Sequence, residues 1–175
     1  MSDIRTVLLL YFSGTGNTEA VAAIFAAAFQ EKGITSTLVK IEDLLKKKCR
    51  HDPGSSDLIG IGYPVHACNA PRIIDLFLRR FPPGQQRIFT FSSCASPQRM
   101  NHMAHVSLRR LIRQKGYALS GEFQYAMPSN AFTRYPDELS KLLFLARESK
   151  VRSYLDSLLS NTKTQLHRPW LGPLW

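Results

Sequence analysis

The sequence predicts an α/β protein: a doubly wound, five-stranded parallel sheet in the order 2-1-3-4-5, covered by helices on both faces in three layers. Three observations carry that expectation. Thr6–Phe12 (TVLLLYF) is an unbroken apolar run, as a central parallel strand covered on both faces requires. Short strand-like segments then alternate with segments of three- and four-residue apolar periodicity. The connections between them are short, which favours right-handed crossovers. Five strands suit this order better than the six-strand alternative.

Each element has its own signal. From Asn17 the pattern turns helical, with Val21, Ile24, Phe25, Ala28 and Phe29 on one stripe and Gly33 as the stop. Ile34–Ile41 reads as the second strand and Asp57–Gly62 as the third, whose glycines imply close packing against it. A helix is expected to begin near Asn69 with Pro71 in its first turn, continuing through Ile73, Ile74, Phe77 and Leu78. Arg87–Phe91 is the fourth strand, Val106–Lys115 a helix closed by Gly116, and Tyr117–Met127 a longer, more polar fifth strand. Pro136 opens the last helix, with Leu139, Leu142, Leu143, Ala146, Tyr154, Leu155 and Leu158 as its apolar stripe.

Composition narrows the class. The 175 residues are 44% hydrophobic, enough for one substantial core without disulfide staples. The longest apolar run, the ten residues Ala20–Phe29, is too short to cross a bilayer. Met1–Ser13 lacks a basic start and a small-residue cleavage site, so a cytoplasmic protein is expected. Cys49, Cys68 and Cys94 contain no C-x-x-C pair, which argues against a disulfide framework or a four-thiolate cluster. The net charge of +10 fits an acidic protein partner, nucleic acid or an anionic surface. No interleaving of aromatics with Lys and Arg offers a platform for bases. The densest basic run, Lys46-Lys47-Lys48 with Arg50 and His51, reads as a solvated loop after a short helix.

In doubly wound sheets ligands bind beyond the carboxyl ends of the strands, where the winding reverses. The first loop there is Ser13-Gly14-Thr15-Gly16-Asn17-Thr18, between a buried strand and a helix start. Its glycines let the backbone approach a ligand, its hydroxyls and amide offer donors, and the open amides of the helix start add more. It contains no Lys or Arg, which suits a phosphate met by neutral donors. Three rival loops fail on spacing. A Walker A loop needs Gly-Lys-Ser/Thr where this one has Gly16-Asn17-Thr18. A dinucleotide fingerprint needs a third glycine where Glu19 stands. A small phosphatase needs an arginine six positions after its cysteine, where Cys94 has Met100.

YFSGTGNTEAVA (Tyr11–Ala22) resembles the flavodoxin signature, in which a strand feeds a Ser/Thr-x-Thr-Gly-x-Thr loop around the phosphate of FMN. GYPVHACNAPRIIDLFLRRFP (Gly62–Pro82) is similar to the stretch after the third strand in the flavodoxin halves of flavodoxin–ferredoxin fusion proteins. MPSNAF (Met127–Phe132) resembles the segment closing their fifth strand. The resemblance implies a flavodoxin-like fold over residues 1–162, with 163–175 a tail or the start of a linker. No Cys-rich ferredoxin segment follows, so the chain is either a lone domain or a piece ending before the cluster-binding half, the Pro-rich apolar ending favouring the second.

Carried over by position, the resemblance assigns the FMN phosphate to Ser13, Gly14, Thr15, Gly16, Asn17 and Thr18. One side of the flavin ring falls to Pro64, Val65, His66, Ala67 and Cys68. The opposing loop is Ser92, Ser93, Cys94, Ala95, Ser96 and Gln98. His66 either donates to the ring and tunes its potential or caps a helix or faces solvent. Cys68 and Cys94 read as reactive thiols or as ordinary loop cysteines. Asn130 reads as a cofactor contact or a turn residue. The implied function is an FMN electron-transfer protein working with an acidic iron–sulfur ferredoxin, to which a basic surface is complementary. The alternatives are an NAD(P)H-dependent FMN quinone reductase and a domain that has kept the fold without the cofactor.

Overall fold

A computed structural model describes residues 4–49, 51–95, 103–127 and 136–160. Its elements in chain order are β1 (Thr6–Tyr11), α1 (Asn17–Glu31), β2 (Thr35–Lys40), α2 (Ile41–Leu45), β3 (Leu58–Pro64), α3 (Arg72–Arg80), β4 (Arg87–Cys94), α4 (Met103–Gln114), β5 (Ala118–Ala126) and α5 (Asp137–Leu159). A single 3-10 turn, Pro53–Ser55, precedes β3. The five strands are all parallel in the order β2-β1-β3-β4-β5. This is the topology the sequence predicts.

The pleat sends alternate side chains into two cores. Val7, Leu9, Tyr11, Phe89, Phe91 and Tyr125 meet α1 and α5 through Phe25, Phe29, Tyr154 and Leu155. Leu8, Leu10, Ile59, Ile61 and Ile88 meet α3 and α4 through Ile74, Phe77, Leu78, Leu108 and Ile112. The close packing expected of β3 is present: a Cβ at Gly60 would lie 2.6 Å from Leu9 Cδ2 and Phe89 Cζ, and one at Gly62 would strike the Phe91 ring. Those glycines let rings from neighbouring strands cover the β3 backbone.

Several boundaries differ from expectation for physical reasons. β3 and β4 run on to Pro64 and Cys94, where parallel pairing continues as Tyr63↔Ser92 and Pro64↔Ser93. α3 begins at Arg72 rather than near Asn69, because Asn69 closes a two-residue turn by exchanging two backbone hydrogen bonds with His66. The expected stripe of α5 holds only in its C-terminal half. Val151, Tyr154, Leu155 and Leu158 are buried, but Leu139 and Leu142 are 43% and 61% exposed and Ala146 is exposed too. The periodicity at 139–146 is helical, yet no described element covers it. α2 ends in a Schellman arrangement: Lys48 N–H donates to Asp43 C=O, Lys47 N–H to Leu44 C=O, and Lys47 takes φ 57°.

No helix among the described residues is long and apolar enough to cross a membrane.

Candidate functional site

A parallel sheet delivers the carboxyl ends of its strands to one edge, so the loops after β1, β3 and β4 converge there. The first is built tightly. Gly16 has φ +87°, a conformation that disfavours a side chain, and its carbonyl accepts the Ala20 N–H at 2.9 Å to start α1. Ser13 Oγ accepts the Glu19 N–H at 3.2 Å. Among the described residues, nothing accepts the amides of Gly14, Thr15, Gly16 or Thr18. A Cβ built on Gly14 or Gly16 meets no atom within 4 Å. The result is a run of amides without described acceptors, in a loop exposed at Gly14–Gly16, at the positive end of a 15-residue helix.

The second loop leaves β3 and lies against β4. Val65 N–H donates to the Ser93 carbonyl at 2.8 Å. Ala67 and Cys68 then occupy the centre of the His66–Asn69 turn with φ 47° and 62°. Such turns usually place Asn and Gly at these positions, so two ordinary side chains here store backbone strain. His66 and Ala67 are exposed, and Pro64, Val65 and Cys68 half-buried.

The third group differs from a free loop. Ser92, Ser93 and Cys94 are the last residues of β4 and are buried, and among the described residues of this group Ala95 alone opens to solvent. Ser92 Oγ donates to the Phe123 carbonyl at 3.5 Å, and the Cys94 thiol to the Tyr125 carbonyl at 3.6 Å. Ser93 joins all three groups: its carbonyl takes the Val65 amide, and its hydroxyl lies 2.8 Å from that of Thr18. Thr18 therefore directs its buried hydroxyl to β4. Ser96, Gln98 and Asn130 lie outside the described residues.

No family model matches the chain, and no curated protein matches it. Solved structures do. Oxidised Flavodoxin 2 from Bacillus cereus superposes with a TM-score of 0.60 at 16% identity, over 89% of this chain and 98% of that one. The two-electron reduced flavodoxin of Megasphaera elsdenii gives 0.55 at 21% identity, over 83% and 98%. A flavone reductase gives 0.61 at 12% identity, over 88% and 63%. The chain has the flavodoxin-like fold.

Within this flavodoxin-like frame, several polar pairings escaped the sequence reading, although Tyr11, Glu19 and Tyr63 were visible in it as single residues. Tyr11 Oη donates to Glu19 Oε1 at 2.9 Å, and Lys40 Nζ lies 3.1 Å from the same oxygen. The Tyr11 bond and then Lys40 hold the Glu19 carboxyl below its usual range, while burial and Glu19 push the Tyr11 phenol up. The carboxylate beside the phosphate-type loop is thus engaged by its neighbours. Under α4, the buried Tyr63 hydroxyl lies 2.6 Å from His105 Nδ1. Arg109 grips the buried Glu122 through Nε at 2.8 and 2.9 Å and Nη2 at 2.6 Å. These pairs join residues 13 or 42 positions apart, so no local pattern signals them. A charge in the middle of a strand, Glu122, was the one visible hint.

Proposed function

We propose that the chain binds FMN and carries electrons, with the phosphate seated on the 13–18 loop. The observation that carries this reading is the run of amides without described acceptors, beneath glycines whose missing side chains leave the space open. That donor set fits a phosphate dianion by chemistry and shape, with Ser13, Thr15 and Asn17 adding side-chain donors. Pro64–Cys68 and Ser93–Ala95 flank the space beside it, and Ser92, Ser96 and Gln98 complete the proposed set. Flavin supplies one- and two-electron chemistry when bound. The chain's own work is to hold, shield and tune it. His66 is exposed at the start of the strained turn, and in this reading its imidazole donates towards the ring edge.

The direct test compares FMN with riboflavin, which lacks the phosphate. Losing two charge-assisted hydrogen bonds, at about 1.5–3 kcal/mol each, weakens riboflavin by at least about 100-fold. Equal affinity for both, or no flavin uptake at all, refutes the assignment.

For a partner, the +10 charge supports an acidic redox protein of the ferredoxin type. Electron exchange with such a protein is expected to slow as salt rises, and a salt-insensitive rate removes that reading. The flavone reductase among the structural neighbours favours a second reading, an NAD(P)H-dependent FMN quinone reductase. Oxidation of NADPH by a quinone without any ferredoxin distinguishes the two.

A further inference from the structure

We propose that the opposite edge of the sheet carries a second binding site, for a small organic anion with an apolar body. A cavity of about 220 Å³ opens between α2, the turn before β3 and the end of α3. Its Pro53 and Pro82 lie where the chain enters β3 and β4, at the edge away from the 13–18 loop, while Leu44 and Leu45 come from α2, which runs there from the carboxyl end of β2. Its floor is apolar: Leu44 and Leu45 from α2, Phe77 of α3 and Phe81, the residue just after α3, line it. Its rim carries two cations, Lys47 and Arg80, with the His51 imidazole beside them.

Two features set this rim apart from a solvated basic surface. Lys47 and Arg80 make no ion pair among the described residues, while Asp75 is engaged with Arg79, Asp43 with Lys48, and Asp52 on the Gly54 amide. Lys47 also occupies the left-handed position that ends α2, where glycine is the ordinary occupant, so a long cation is kept at a conformational cost. Lys47 and Arg80 therefore border an apolar hollow, in which a bound anion is neutralised at the rim while its body leaves water below. The volume falls under the roughly 300 Å³ of drug-sized sites, so the occupant is a short alkyl chain or a single ring bearing a carboxylate or sulfonate.

Octanoate is the probe, with octanamide as its neutral isostere and acetate as the anion without a body. Amide-resolved NMR titration of the chain should show saturable octanoate shifts confined to residues 44–53 and 77–82. Octanamide and acetate should each bind at least tenfold more weakly. The double variant Lys47→Gln/Arg80→Gln, both exposed positions, should weaken octanoate at least tenfold and leave FMN affinity unchanged. The site is disproved by octanoate that does not saturate, by equal affinity for octanamide, or by a double variant that binds as the parent does. Shifts centred on 13–18 and 64–68 disprove it too. Saturation by the peptide Glu-Glu-Phe-Glu-Glu but not by octanoate overturns the small-molecule assignment.

Discussion

Arg109→Met tests the buried polar layer under α4 most sharply. Glu122 is 1% exposed at its side chain and Arg109 19%, and the guanidinium makes three contacts of 2.6–2.9 Å to the carboxylate. Methionine keeps most of the volume and removes the charge, which leaves a carboxylate without its main partner in a site that water hardly reaches. Stranding one member of such a pair costs about 3–5 kcal/mol. For a chain of this size, about 2–4 °C of melting temperature is lost per kcal/mol, so Tm should fall by roughly 6–20 °C. Calorimetry or circular dichroism on the parent, R109M, E122M and R109M/E122M closes a double-mutant cycle. The double variant is expected within about 1 kcal/mol of the parent, because both desolvation costs leave together. An R109M loss under about 1 kcal/mol, or a double variant as unstable as the two singles summed, refutes the reasoning.

Three further outcomes follow from the same geometry. Gly14→Ala is expected to fold as stably as the parent, since its Cβ meets open space and its φ is unstrained, while FMN affinity measured by fluorescence quenching falls at least tenfold. Gly62→Ala forces a methyl into the Phe91 ring and should cost about 1–3 kcal/mol in urea unfolding, and a neutral result would mean that the ring moves aside freely. Asp57 Oδ2 accepts from the Arg5 and Thr6 amides and the Thr6 hydroxyl, which hold its carboxyl below the ordinary 3.8. Its contribution is therefore complete above pH 3.8 and disappears as pH falls through the lower folded value. Asp57→Asn should cost on the order of 1 kcal/mol at pH 7, discounted for exposure, and the gap to the parent should close in acid; a gap that widens there contradicts the assignment.

What the sequence disclosed was whatever a local pattern can encode. The TVLLLYF run, the Gly14–Gly16 loop and the stop at Gly33 each depend on neighbouring residues, and each lies where expected. Strand ends were less legible, because β4 persists through Ser92–Cys94 only by pairing with β3 and β5. The N-terminal half of α5 shows the limit of periodicity: Leu139 and Leu142 keep helical spacing, but spacing does not say whether a partner covers them. Ser93 was named as a candidate site residue by resemblance, whereas its part in joining three chain segments is a matter of tertiary geometry.

That junction has a consequence for recognition. Thr18 to Ser93, Val65 to Ser93, and Phe12 N–H to Gly62 C=O at 3.0 Å are bonds the protein makes with itself. A molecule seated between these segments would spend little of its interaction energy on ordering them. These described junctions are tied to one another, and their rigidity is inherited from the ends of the central strands.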